Sequence, residues 1–298
     1  MKKISFLSFM CVMGSQLLSS QTDAYIKIHD IHERHPRVNS ISFPGDVDNI
    51  AIYDAIYGHG AVIENPWVAY RVYMDNRQSL DLYVKKTPRL ELDETGFYTT
   101  PQQLEDGYGC DVLWAGKSIG AGSFRGWQND KAVTIDTVAL RTQTVLGNSV
   151  IEVSDSNWIF NGHPLQMKQL YSVEPDSRDL NVKIILNGVL PEDRFAIGVQ
   201  KLETDNVGFI DRCGKAGSWG FNVPDKENPE NIEQVGLGIF ADPINIVDVR
   251  EDELNYIFIV RPGNDNAISY KVISCGGREA DGFKNSQQWF DYLKNLEF

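Results

Sequence analysis

Between residues 67 and 85 the chain twice alternates apolar and polar positions with a period of two. In WVAYRVYM, Val68, Tyr70, Val72 and Met74 fall on one side and Ala69, Arg71 and Tyr73 on the other. In SLDLYVK, Leu80, Leu82 and Val84 oppose Asp81, Tyr83 and Lys85. That period belongs to a strand with one face in a core. Comparable runs continue almost to the C-terminus, among them DVLWAG, SFRGW, AVTIDTVALRTQTVL, SVIEVSDSNWIF, QMKQLYSV, DLNVKIILNG, FAIGVQKL, VGFID, VGLGIF, NYIFIV and AISYKVIS. Turns containing Gly, Asn, Asp or Pro separate them, and no strand–helix alternation of the βαβ kind interrupts the series. The pattern predicts an all-β protein, one domain of two large antiparallel sheets packed as a β-sandwich. One helix is predicted, over 284–297. There Trp289, Leu293 and Leu296 form an apolar stripe suited to the end or outer face of a sheet.

The N-terminus reads differently. Lys2 and Lys3 precede the apolar run ISFLSFMCVMG and the small polar residues LLSSQ. The run is shorter than the roughly 20 apolar residues of a membrane span. It predicts a signal peptide over residues 1–20 and a mature domain over 21–298, exported and periplasmic in a Gram-negative cell. No other segment is expected to cross a membrane. Cys110, Cys213 and Cys275 are a poor disulfide framework for a domain of this size, and buried thiols are expected. A net charge of −13 argues against nucleic acid or an anionic membrane as partner, yet leaves room for a small anion held by a few local cations.

Chemistry concentrates in two glycine-punctuated blocks, residues 58–75 and 105–127. His59 lies between Gly58 and Gly60, where a ligand can approach closely, and an imidazole suits proton abstraction near neutrality. Arg71 on a sheet face must pair with an acid, Glu64 or Asp81 being in reach, or bind an anion. Lys117 and Arg125 flank Gly120-Ala121-Gly122, whose amides could face an anion. Tyr73 and Tyr108 are proton-donor candidates, Trp114 and Trp127 are candidates to stack on a sugar, and Lys201 is a further cation of undetermined side. The set His29, His32, His35 would align on a helix but runs into Pro36, and His163 reads as a turn residue. No metal and no cofactor is expected, and P-loop, dinucleotide and HExxH motifs are absent from the sequence.

The stretches GHGAVIENPWVAYRVYMDNRQSLDLYVKK, LELDETGFY and QLEDGYGCDVLWAGKSIGAGSFRGW resemble a family of secreted Bacteroidetes proteins catalogued as a domain of unknown function. The later GVQKL, GSWGFN, VGLGIF and WFDYLK extend the resemblance over nearly the whole mature chain. It implies a sandwich like those of galactose mutarotases and polysaccharide lyases. More narrowly, the sequence is similar to the dehydratases that marine Bacteroidetes use on ulvan oligosaccharides. These remove water from a non-reducing-end glucuronate or iduronate and leave a 4,5-unsaturated residue. Relatives place a His–Gly–Glu–Gly-like stretch where this chain has Asp106-Gly107-Tyr108-Gly109. For such chemistry the residues supply His59 as base and Tyr108 or Tyr73 as acid. Arg71, Lys117, Arg125, Glu64 and Lys201 are the substrate-binding set, and Trp127 the stacking platform. A lyase or glycoside hydrolase on uronic-acid oligosaccharides, or a non-catalytic carbohydrate-binding protein, are the alternatives.

Overall fold

The computed structural model describes residues 21–222 and 232–297. The segment 1–20, where a signal peptide is expected, lies outside the described residues, as does most of the acidic stretch 224–233. In chain order the first strands are β1 (Asp23–Ile28), β2 (Arg37–Val38), β3 (Ser40–Pro44), β4 (Ile56–Glu64), β5 (Val68–Tyr73), β6 (Leu80–Val84) and β7 (Cys110–Asp111). There follow β8 (Arg125–Gln128), β9 (Lys131–Val133), β10 (Leu140–Gly147), β11 (Val150–Phe160), β12 (His163–Val173), β13 (Asp179–Asn187) and β14 (Phe195–Gln200). The last are β15 (Thr204–Ile210), β16 (Lys215–Asn222), β17 (Glu233–Ala241), β18 (Ile246–Glu251), β19 (Asn255–Val260) and β20 (Ala267–Gly276).

They form three antiparallel sheets, in the orders β2-β1-β4-β5-β6-β7, β15-β16-β17-β20-β13-β12-β11-β10-β3 and β18-β19-β14-β8-β9. The nine-stranded sheet packs on both others: β4 and β6 meet β10, β11, β12 and β20, while β14 meets β16 and β17. The protein is thus an all-β sandwich in which one layer is divided between two smaller sheets, where the sequence suggested two sheets in all. A single large core runs between the layers. Val68, Tyr70, Val72, Leu80, Leu82 and Val84 face into it, as their alternation predicts. Their neighbours Arg71, Tyr73, Asp81, Tyr83 and Lys85 consequently face outward from the six-stranded sheet.

Among the described residues four α-helices accompany the strands: α1 (Asn49–Ala55), α2 (Leu92–Thr95), α3 (Pro101–Glu105) and α4 (Ser286–Lys294). The first three are too short to show an apolar period. α4 is the helix expected near the C-terminus. It buries Trp289 and Leu293 on the outer face of the nine-stranded sheet. It approaches β17 so closely that a Cβ on Gly238 would sit 2.5 Å from Leu293. Among the described residues no helix is long and apolar enough to cross a membrane.

Residues 85–109 fold back over the outer face of β4, β5 and β6. Thr100 caps α3 with a reciprocal bond to Gln103. Buried Glu91 ties this cover down by accepting from the Tyr83 hydroxyl at 2.9 Å and the Gly109 amide at 2.7 Å. Phe97 then lies buried with Tyr25, Val62, Ala69, Tyr83 and Leu92 as a second small core. The cover stops short of the β5 and β6 ends that carry Tyr73 and Ser79, and a cavity opens there.

Candidate active site

The cavity measures about 470 Å³. Its walls come from His59 of β4, Arg71 and Tyr73 of β5, the β5–β6 turn, Asp81 of β6, the cover at 97–100, and residues 110–116. Gly58 and His59 both adopt the left-handed conformation, with φ of 76° and 70°. Glycine does this freely and histidine uncommonly, so the backbone is held in an unfavourable region at the site. Tyr53 of α1 packs its ring 4.3 Å from the imidazole, and Tyr73 lies 5.9 Å away, centre to centre. Among the described residues nothing hydrogen-bonds to the ring nitrogens of His59. Burial and the nearby Arg71 push its pKa below the ordinary 6.5, so the neutral ring is favoured.

Arg71, on the neighbouring strand β5, is the buried centre of the site. In the β5–β6 register it stands across from Asp81, with which it forms an ion pair. The same Nη2 donates to Tyr73 Oη at 3.0 Å and to Asp111 Oδ2 at 3.3 Å, while Nη1 donates to Tyr98 Oη at 3.2 Å. Its Nε is buried with no partner. Burial and the adjacent Asp81 carboxylate raise the pKa of Asp111 well above the usual range. Asp111 therefore favours its protonated form beside the Arg71–Asp81 ion pair. Tyr73 also donates to Asp81 at 3.4 Å, and burial and Asp81 raise its pKa.

Arg77 reaches the cavity from the β5–β6 turn. Asp75 fixes that turn by accepting from the backbone amides of Arg77 and Gln78, from Arg77 Nε at 2.8 Å and from the Tyr53 hydroxyl at 2.6 Å. Trp114, the one exposed tryptophan at 46%, stands on the cavity wall as a free aromatic face.

Of the residues singled out from sequence, the structure brings His59, Arg71, Tyr73, Asp81 and Trp114 together here. The others lie elsewhere. Glu64 is buried against Lys85 and the amides of Glu91 and Leu92. Tyr108 donates to Glu94 and stacks beneath Arg89, whose guanidinium is 4.0 Å from its ring. Lys117 is exposed just beyond the wall residue Gly116. Trp127 packs on Ile119, Ala196 and Ile257 of the five-stranded sheet region, so Trp114 takes the place expected of it. Lys201 pairs with Glu251 at 2.8 Å. Arg125 is buried behind Ser79, a wall residue, and donates to its hydroxyl at 3.0 Å. The intervening Gly120-Ala121-Gly122 is not an anion nest: Ala121 bridges to Val199, Gly120 N donates to Ser118 Oγ, and the Gly122 carbonyl accepts from Tyr270.

His29 and His35 sit in a non-helical bend against Tyr57, the His35 and Tyr57 rings stacked at 3.7 Å. His163 begins β12 rather than filling a turn, and its Nε2 lies 3.0 Å from Asp193. Among the described residues no three His, Cys, Asp or Glu side chains converge to hold a metal ion. Cys110 and Cys275 are buried, whereas Cys213 is exposed, and all three are unpaired. Asp111, Arg77, Ser79, Tyr98 and Phe97 are among the wall residues that do not stand out in the sequence. Asp111 carried the faintest signal, the first residue of the DVLWAG run.

Comparison with curated proteins finds no match. Among solved structures the chain is similar to the TPR-domain containing protein from Parabacteroides distasonis ATCC 8503, at 10% identity and a TM-score of 0.38, over 93% of this chain and 56% of that one. It is also similar to 4-alpha-glucanotransferase from Thermococcus litoralis, at 9% identity and a TM-score of 0.35, over 74% of this chain and 38% of that one. The chain thus spans less than two thirds of either protein. The family described as Domain of unknown function (DUF4861) matches residues 17–297, nearly the entire chain, and the protein belongs to that family.

Proposed function

We propose that the protein is a carbohydrate-active dehydratase that eliminates water across C4–C5 of a non-reducing-end uronate, its substrate class being anionic oligosaccharides such as those derived from ulvan. The observation that carries this reading is the meeting of His59, Tyr73 and the Arg71–Asp81–Asp111 cluster on one cavity with an exposed tryptophan at its wall. His59 takes the C5 proton. The C–H electrons form the C4=C5 double bond, the C4–O bond breaks, and Tyr73 gives its proton to the departing hydroxyl, which leaves as water. Solvent then returns the proton from His59 to Tyr73. The hydrogen that His59 removes becomes acidic only when the adjacent carboxylate is neutralised by a cationic or hydrogen-bonding group of the cavity.

Two features favour elimination over glycoside hydrolysis. The two wall carboxyls both pair with one guanidinium, that of Arg71. A hydrolase needs them about 5–9.5 Å apart, flanking the scissile bond. The base and acid are also neighbours on one side of the cavity, which suits a syn elimination. Glucuronate has H5 and O4 on the same face of the ring and iduronate does not, so glucuronate is the preferred epimer. The signal-like N-terminus agrees with an exported, periplasmic site of action.

The test is a panel of uronate-terminated oligosaccharides of differing linkage, followed by ultraviolet absorbance and mass spectrometry together. Dehydration gives a conjugated chromophore and the loss of one water with chain length unchanged. Chain shortening with the same chromophore would mean a polysaccharide lyase, and shortening without it a hydrolase. Binding without any product would leave a carbohydrate-binding protein.

A further inference from the structure

Four lysine or arginine side chains are buried among the described residues: Arg71, Lys85, Arg125 and Arg141. Three of them sit in ion pairs, with Asp81 and Asp111, with Glu64, and with Asp155 respectively. Arg125 does not. At 4% exposure it has no carboxylate within ion-pair distance among the described residues. Its Nη1 donates to the Phe124 carbonyl at 2.9 Å and its Nη2 to Ser79 Oγ at 3.0 Å. Asp75, the carboxylate that most favours its charge, is already bound by Arg77, Tyr53 and two backbone amides. Burial lowers the pKa of Arg125 to about 10, which leaves it charged at neutral pH.

A buried cation without a counter-charge is costly, and a fold keeps one only where something else repays it. Ser79 shows where the missing charge belongs. It lines the cavity, its hydroxyl oxygen accepts from Arg125, and a hydroxyl that accepts still has its own proton to give. Among the described residues nothing receives that proton. Around the cavity Arg71 is paired with Asp81 and Asp111, and Arg77 with Asp75. The uncompensated charge is that of Arg125.

We propose that Ser79 and Arg125 form the seat of the substrate's carboxylate: the Ser79 hydroxyl donates to the anion, and Arg125 behind it polarises that hydroxyl and supplies the counter-charge. Arg125 acts through Ser79 and is a positioning residue. The proposal rests on the uronate reading above and deepens it by naming the group that acidifies C5–H.

Calorimetric titration with the 4-deoxy analogues of methyl glucuronoside and of the corresponding neutral glucuronamide, which have no hydroxyl to lose, tests the seat without any turnover. The wild type is expected to prefer the acid by at least roughly tenfold, the worth of one charge-assisted bond. Ser79→Ala and Arg125→Met should both bind the two probes about equally. Arg125→Met should also melt no lower than the wild type, because it removes an unpaired buried charge, a result that a merely structural arginine would not give. Retention of the acid preference in either variant, or its absence in the wild type, overturns the seat. If Arg125→Met fails to fold, the stabilising role is the correct one for Arg125 and the proposal falls with it. Unsaturated product from a wild type whose Arg125→Met variant keeps the preference leaves the elimination intact and removes only the seat. Loss of preference in the variants with no product from the wild type does the reverse.

Discussion

The outer face of the six-stranded sheet holds two buried charge clusters built from the same strands, and they do opposite things. At one end Glu64 accepts from Lys85 Nζ at 2.5 Å, and Lys85 also donates to the carbonyls of Asn65 and Arg89. All three ammonium protons are satisfied within the protein, and the chain at 89–92 closes over the pair. At the other end Arg71 carries two carboxyls and two phenols, leaves its Nε unpartnered, and borders the cavity. In sequence both appear as a charge on an alternating strand. What separates a structural ion pair from a site is the covering segment, which seals one cluster and stops before the other.

Breaking each end should therefore give different losses. The largest is expected at His59: His59→Ala should lower kcat by about 10²–10⁴-fold, the usual worth of a positioned base. Its melting temperature should stay close to that of the wild type, since the ring makes no hydrogen bond among the described residues. A variant that melts normally and retains full turnover would remove His59 from the chemistry. At the sealed end Lys85→Met leaves Glu64 buried and alone, and should cost about 3–5 kcal/mol in urea unfolding. Glu64→Gln added to Lys85→Met should restore much of that stability. Arg71→Met should cost less than Lys85→Met, because Asp81 and Asp111 can take up protons through the cavity, while activity collapses. Equal unfolding losses at the two ends would erase the distinction between them.

Smaller effects follow at the rim. Trp114→Ala should raise KM by about 2–10-fold with kcat little changed, as loss of a stacking face does. An unchanged KM would make Trp114 incidental to binding. The pH profile sharpens the role of Arg71. Burial and Arg71 hold the His59 pKa below 6.5, so the neutral base persists and the acid limb of kcat/KM should lie below 6.5. In Arg71→Lys the limb should stay low, and in Arg71→Met any residual activity should show it moved upward. Stability carries the same sign. Below pH 6.5 the unfolded chain takes up the His59 proton first, so this contribution to stability is present above 6.5 and is lost as pH falls through the lowered value.

Much of the framework was legible because a period of two fixes which residues share a face. Tyr70 and Leu82 in the core and Arg71 and Asp81 opposite it follow from alternation alone. So does the helix at Trp289 and Leu293, from its own period. The division of one layer into two sheets was not legible, because pairing partners leave no local mark. Nor were the one- and two-turn helices α1, α2 and α3, which are shorter than any period that could announce them. At the site, His59 stood out through its flanking glycines. Asp111 belongs to a two-residue strand, and Arg77 to a turn shaped by Asp75. Their approach to Arg71 and His59 is a product of tertiary folding. Glu64, Trp127 and Lys201 carried the right chemistry in the wrong place, each satisfied by Lys85, Ile257 and Glu251 respectively.

The most direct measurement follows the short-wavelength ultraviolet absorbance and the mass of a glucuronate-terminated oligosaccharide incubated with the protein and with its His59→Ala variant. The account predicts a growing chromophore and the loss of one water at constant chain length with the wild type, and neither with the variant. A chromophore that forms at the same rate in both, or a wild type that shortens the chain instead, would contradict it.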